Sequence, residues 1–355
     1  MLSEGSLEIV DALQISPRAP WSLVGEVLQV DPVTVRRRWE RLTGDGTAWV
    51  SAYVGSQASS TVTTGFLEIS CEPGRSHDVA HAMAHWNNVV TVQYVAGQHD
   101  LLAIVFAADF VQMSQLLLVD LPSLPGVSRV RSSLATRMFE ATGQWRLGVL
   151  SAAQVRRLRT AAPRRAGSTE RPFASPDRDL FRALSQDGRG SNVTLGSRLS
   201  LSARQVQRRL TALLARDEVM VRCDVARSLV GWPSAALLWF SVPEDRLEEV
   251  GRKLGARHEV RTCAALADER NLLLSVGLRS IGDLHGLVSD ITAQFPYARI
   301  RERNLVLRQE KLCGHLLDAA GRTVGSVPLD PWATARDSEP CPGPGLCAGA
   351  ARQDP

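Results

Sequence analysis

Residues 31–42 read DPVTVRRRWERL, and residues 202–213, 171 positions later, read SARQVQRRLTAL. Each stretch starts like a helix. Asp31 is a helix-capping residue with proline at the first helical position, and Ser202 is the cap in the second stretch, followed by Ala203 and Arg204. Val35, Trp39 and Leu42 then recur at i, i+4, i+7, as do Val206, Leu210 and Leu213, which draws one apolar stripe along each helix. The cationic and amide side chains lie off that stripe. They are Arg36, Arg37, Arg38 and Arg41 in the first stretch, and Arg204, Gln205, Gln207, Arg208 and Arg209 in the second. A helix docked by its stripe presents these donors outward, where they suit phosphates and guanine edges in a major groove. Arg37, Arg38, Arg208 and Arg209 recur in both stretches and are the foremost candidates.

Upstream of each stretch the apolar spacing predicts two further helices. The first carries Leu7, Val10 and Leu13, or Leu180, Ala183 and Leu184; the second runs Trp21 to Leu28, or Val193 to Leu199. Downstream, Gly44-Asp45-Gly46 breaks the first copy, and strands follow at Trp49 to Val54 and Val219 to Val225. Three helices with a tight turn before the third make a helix-turn-helix, and the trailing strand adds a wing. Phe181, Trp39 and Trp49 read as core. The 171-residue offset also pairs Gly25 with Gly196, Val50 with Val221, Val89 with Val260, Thr91 with Thr262 and Pro125 with Pro296. A period of that size marks a duplicated module.

The second half of each copy reads β-α-β-β-α-β. In the first copy the strands are Thr63–Ser70, Val89–Val95, Leu101–Ala107 and Val127–Leu134, with helices His77–Trp86 and Phe110–Leu121. In the second the strands lie near Ala235–Val242, Val260–Ala265, Asn271–Leu278 and Ala298–Leu305, with helices Glu244–Gly255 and Ile281–Phe295. This is the ferredoxin-like order, with helices on one sheet face. The apolar runs AALLWFSV and NLLLSVGL predict that the other face packs on a second sheet. The fold class is therefore α+β, with two winged helix-turn-helix domains and two ferredoxin-like βαββαβ effector domains in tandem. The boundaries are 1–54, 60–140, a helix and basic linker at 141–176, 177–227, 234–312, and a disordered tail at 337–355.

Composition narrows the classes. The 355 residues are 44% hydrophobic and 22% charged with a net charge of +4, which excludes global disorder. No apolar run approaches the roughly 18–20 residues of a membrane span. Residues 1–8, MLSEGSLE, lack the apolar stretch of a secretory signal. The six cysteines, including Cys341 and Cys347 in the tail, form no CxxC pair, so a reducing cytoplasm is expected, without a disulfide framework or zinc ribbon. Lysine occurs only at Lys253 and Lys311, while arginines cluster at 36–41, 156–165 and 204–216, a pattern suited to a phosphate backbone. His77, His81 and His85 share a helix face, and two histidines at i, i+4 can share a metal. With no cysteine to complete a set, they read as a partly solvated face, and neither metal nor cofactor is expected. Residues 144–158 predict a strand end and a solvated linker helix bearing Arg156 and Arg157, with Arg159 beyond.

Four segments then resemble the Lrp/AsnC (feast/famine) family of transcription regulators. Residues 179–189, DLFRALSQDGR, look like that family's first helix and turn, and Leu201 to Leu210 like its turn and recognition helix. Residues 95–101, VAGQHDL, look like its loop between the second and third effector-domain strands, and Leu124-Pro125-Gly126-Val127 like the turn before the last. The resemblance implies a sequence-specific regulator that binds double-stranded DNA and a small-molecule effector such as an amino acid. It implies paired effector sheets, here as an intramolecular pseudo-dimer or a homo-oligomer, in the cytoplasm and without membrane contact. It also places effector contacts at Gly97, which permits close backbone approach, at His99, and at Asp100, which can accept from an ammonium group. The matching loop of the second copy, Asp268-Glu269-Arg270-Asn271, lacks the glycine and replaces the aspartate by an amide, so Arg270 and Asn271 define a different site. On this reading the chain is not an enzyme. The rival is a siroheme decarboxylase-like enzyme, since those proteins resemble fused Lrp/AsnC-type modules.

Overall fold

A computed structural model describes residues 2–55, 62–141, 145–160 and 175–334. Most of the expected basic linker and the whole expected tail, with Cys341 and Cys347, lie outside the described residues. The chain opens with α1 (Glu4–Ile15), α2 (Trp21–Leu28), α3 (Pro32–Gly44) and β1 (Ala48–Val54). The order recurs as α7 (Ser175–Gln186), α8 (Asn192–Leu199), α9 (Ala203–Ala215) and β6 (Val219–Val225).

The start of α3 and α9 is set locally. Asp31 accepts hydrogen bonds from the Val33 and Thr34 amides at 2.9 and 3.2 Å, and Ser202 forms a reciprocal capping box with Gln205. The preceding turn is tight. A Cβ at Gly25 would sit 2.5 Å from the Val30 carbonyl oxygen, and one at Gly196 2.4 Å from that of Leu201. Only glycine lets α2 or α8 approach the next helix so closely. Val35, Trp39 and Leu42, like Val206, Leu210 and Leu213, are buried against the two preceding helices.

The trailing strands differ from the expected wings. β1 pairs antiparallel with β6 over its whole length, from Ala48 opposite Val225 to Val54 opposite Val219. One ladder thus joins the two helical heads. Its apolar face is divided between them: Val50, Cys223 and Val225 join the core of α1–α3, while Ala52, Val54 and Val219 join that of α7–α9. Arginines 171 positions apart clasp the heads reciprocally. Arg18 donates to the carbonyls of Gly188 and Gly190, and Arg189 to those of Pro17 and Ala19. Burial lowers both guanidinium pKa values, that of Arg189 to about 10 with Arg18 beside it.

The first βαββαβ unit comprises β2 (Thr63–Cys71), α4 (Ser76–Ala84), β3 (Val89–Ala96), β4 (Leu101–Ala107), α5 (Phe110–Gln115) with a π-helical turn at Leu116–Asp120, and β5 (Val127–Ala141). The second comprises β7 (Ser234–Ser241), α10 (Glu244–Gly255), β8 (Val260–Leu266), β9 (Leu272–Leu278), α11 (Asp283–Gln294) and β10 (Arg299–Leu312). Within each unit the last strand lies beside the first, the third next, the second outermost. The units join at both edges, β5 to β8 and β10 to β3, and so close an eight-stranded ring. Closure leaves none of those eight strands with a free edge. The inner faces meet through Phe66, Leu102, Leu237, Trp239, Leu266 and Leu273, all buried, as the apolar strand runs require.

Two segments depart from the sequence reading. The helix expected to be solvated, α6 (Ala152–Arg159), buries Val155 and Leu158 in the core of the first head, and its Arg157 pairs with Glu26 at 2.9 Å. Beyond residue 312, where no element was expected, β11 (His315–Leu317) and β12 (Thr323–Ser326) form a hairpin on the end of β10. The Thr323 amide donates to the Gly46 carbonyl just after α3, at 2.9 Å. Further on, Leu329 enters the second head's core and Asp330 accepts from Arg178 at 2.8 Å.

Candidate nucleic-acid interface and effector site

The expected reading residues divide into two groups. Arg37, Arg41, Arg204 and Arg208 are exposed and have no ion-pair partner among the described residues. Arg36 is exposed but held by Glu40 at 2.7 Å. Arg38 is half-buried and turned toward Gly5 of α1, and Arg209 is half-buried and paired with Asp177 of α7 at 2.8 Å. Recurrence in both copies therefore singled out one outward pair, Arg37 and Arg208, and one inward pair, Arg38 and Arg209. Gln205 spends its amide oxygen on the Ser202 cap at 2.8 Å, and Gln207 bonds Thr211 at 3.2 Å and Asn192. Trp39, Trp49 and Phe181 are buried.

The two expected effector loops come together at the closed strand ring. His99 Nε2 lies 3.2 Å from Glu68, and Arg270 bonds Glu68 and, at 2.6 Å, Glu302. Residues 171 apart, His99 and Arg270 thus converge on one buried carboxylate. Asp268 accepts from Arg131 at 3.1 Å and from Ser133 at 2.7 Å. Burial pushes the Asp268 carboxyl up, but those bonds outweigh it and hold it below the usual range. The Arg270 guanidinium lies 4.2 Å from the centre of the Trp239 ring. Gly97 is where close approach is required, since a Cβ there would stand 2.3 Å from the Asn304 amide nitrogen. Ligand atoms of Glu68, His99 and Glu302 fall within 4.8 Å of one another, a spacing a divalent cation could use, although Arg270 already bonds both carboxylates.

Two expected contacts are spent elsewhere. Asp100 accepts from the Cys71 amide at 2.7 Å, which fixes the loop to the end of β2. Asn271 bonds the amide and carbonyl of Val242 at 2.9 and 2.8 Å, a structural clamp. Glu68, Arg131 and Glu302 were not among the sequence candidates. Glu68 carried a signal, a charge in the middle of the apolar strand GFLEIS. Arg131 and Glu302 belong to strands rich in charge throughout, so nothing marked them.

The histidine strip faces the second unit rather than solvent alone. His77 Nδ1 lies 3.0 Å from the Tyr94 hydroxyl, and His81 Nδ1 lies 3.8 Å from Glu310 of β10. Burial and the neighbouring His85 lower the His81 pKa despite Glu310. Between α3, the α7–α8 turn and the C-terminal hairpin lies a cavity of about 560 Å³, lined by Trp21, Trp39, Trp49, Arg36, Arg189 and His315.

Comparison with known proteins fits this architecture. Residues 64–145 match the family model of the Lrp/AsnC ligand binding domain. Uncharacterized HTH-type transcriptional regulators of Pyrococcus horikoshii and Pyrococcus furiosus are each 24% identical to this chain, over 136 and 137 residues. Each match covers 38% of this chain, and 86% and 93% of the respective regulator. The Lrp/AsnC resemblance read from the sequence is thus supported, and the fold is a mixed α/β one carrying an Lrp/AsnC ligand-binding domain. Among solved structures, the siroheme decarboxylase NirDL superposes over 87% of this chain and 93% of its own, with a TM-score of 0.56 at 14% identity. That finding overturns the expectation that the chain is not an enzyme, because an enzyme shares its fold over nearly the whole length. Among the described residues no helix is long and apolar enough to cross a membrane.

Proposed function

We propose that the chain is an effector-responsive transcriptional regulator built as a tandem duplication, with DNA-reading heads at 1–54 and 177–227 and effector domains at 60–140 and 234–312. The observation that carries this reading is the outward display of Arg37 and Arg41 on α3 and of Arg204 and Arg208 on α9, while the opposite face of each helix is buried. The β1/β6 ladder holds both heads in one frame, as a two-headed reader of duplex DNA requires. At the effector site, groups of both signs, Arg270 and Arg131 against Glu68, Glu302 and Asp268, suit a zwitterion such as an amino acid. Its carboxylate and ammonium would exchange for the internal pairs. The test is gel retardation on the gene's own upstream DNA across a salt series. The wild type should lose affinity linearly in log salt, and Arg204→Ala with Arg208→Ala should lower the slope by about 0.9 per phosphate contact removed. An unchanged slope and affinity would exclude this docking.

A second reading is tetrapyrrole decarboxylation, favoured by the whole-length likeness to NirDL. Absorption spectra separate the two readings. A saturable shift of the Soret band on adding an iron tetrapyrrole supports the enzyme, and a spectrum equal to the sum of the parts counts against it.

A further inference from the structure

The polar face of the β1/β6 ladder carries Trp49, Ser51, Tyr53, Arg222 and Asp224 and lies toward the strand ring. Asp224, 1% exposed, accepts from Arg222 at 2.7 Å, from Arg261 of β8 at 2.8 Å and from the Tyr53 hydroxyl at 2.8 Å. Arg227, half-buried in the turn after β6, has its pKa brought down to about 9 by burial first and then by the charges of Arg261 and Arg222, against the pull of Asp224. Arg227 has no carboxylate within salt-bridge distance among the described residues; its bond is to Gln309 at 2.9 Å. Three guanidinium groups therefore share one carboxylate in a largely dehydrated seam. A cation drawn partly out of water without a counter-charge is costly, so the seam is short of negative charge.

It is also short of acceptors. A cavity of about 90 Å³ opens here, lined by Trp49, Arg227, Ser228, Arg308, Gln309 and Asp318 among others. Trp49 is 4% exposed and its Nε1–H meets no acceptor among the described residues. The Ser51 hydroxyl on the same ladder face is also without a partner. The one carboxylate lining the cavity, Asp318, is engaged by the amides of Ala320 and Arg322 at 2.9 and 2.8 Å, and Glu310 is engaged by Arg308 at 3.0 Å.

We propose that this seam binds a small oxyanion, the carboxylate or phosphate group of a metabolite, held by Arg227 and Trp49. An oxyanion supplies both what the seam lacks, a negative charge and several acceptor lone pairs. The site is separate from the His99/Arg270 loops and lies where the heads rest on the strand ring, so it stands or falls independently of the DNA reading.

The test is thermal unfolding of the full chain with inorganic phosphate or malonate, ionic strength held constant with sodium chloride. The wild type should show a saturable rise in Tm of a few degrees with at least one of the two anions, and the better one tells phosphate from carboxylate. Arg227→Gln should abolish the rise. Without anion its Tm should equal or exceed the wild type's, since the change removes a half-buried cation that has no counter-charge within salt-bridge distance. Trp49→Phe, which removes the Nε1–H donor, supplies a second variant and should reduce the response at least several-fold. No saturable rise with either anion, or a rise that survives in both variants, overturns the proposal.

Discussion

Among single residues, the buried ionisable ones make the sharpest predictions. His315 stacks on Trp49 at 5.3 Å, is 4% exposed, and is held down by burial to about 4 from an imidazole's ordinary 6.5. Its folded-state pKa lies below its unfolded one, so the stability it contributes is complete above pH 6.5 and is lost as pH falls through about 4. Urea titrations should show about 3 kcal/mol lost over that interval beyond the carboxylate contribution, and His315→Gln should flatten the slope. Asp224 acts at lower pH, since Arg222 and Arg261 overcome burial and hold its carboxyl far below the usual range. Asp224→Asn should cost about 3–5 kcal/mol in chemical denaturation at pH 7, because it strands those guanidinium groups. None of this was legible in the sequence. Asp224 and Arg222 look like ordinary alternating strand residues; only the pairing of β6 with β1 brings Tyr53 to them, and only the seating of that ladder on the strand ring brings Arg261.

Among the elements, the helices and most strands were legible because local chemistry decides them. Asp31-Pro32, Ser202 and the i, i+4, i+7 stripes place α3 and α9 to within about two residues. Ser202→Ala should remove the capping-box bond that Ser202 Oγ accepts from the Gln205 amide, leave the one its own backbone N–H donates, and cost about 1 kcal/mol by thermal melting. What escaped was whatever depends on distant partners. α6 reads as solvated because six of its eight residues are polar or alanine, yet Val155 and Leu158 suffice to seat it on α1 and α2. The β11–β12 hairpin is too short and too polar to announce itself, and it exists through β10 and Gly46. Gly46 has φ +69°, and a Cβ there would stand 2.2 Å from the Thr323 carbonyl oxygen. Gly46→Val should lower Tm and loosen the hairpin, seen as faster amide exchange at Thr323–Ser326.

For the whole molecule, the sequence repeat announced two like halves but not how completely they interlock. β1 pairs with β6, β5 with β8, β3 with β10, and Arg18 and Arg189 exchange carbonyl partners. Residues 1–160 and 175–355 produced as two polypeptides should therefore purify as a one-to-one complex, measured by light scattering after size exclusion. Two separate monomeric species would contradict the interlock. The candidate effector site shows the same dependence. The loops at 97 and 268 were visible as glycine and charge patterns, but their meeting at Glu68 is a property of the closed ring.

The clasp between the heads has one further consequence. A regulator made of two identical subunits must offer DNA the same surface twice, so its targets tend toward palindromes. Here the two surfaces belong to one chain and already differ: Arg36-Arg37 on one helix corresponds to Gln207-Arg208 on the other, and Glu40 has Thr211 as its counterpart. Each half can drift without its twin, so under the proposed DNA-reading role the sites recovered by selection should be asymmetric, with half-sites that are not inverted copies of each other.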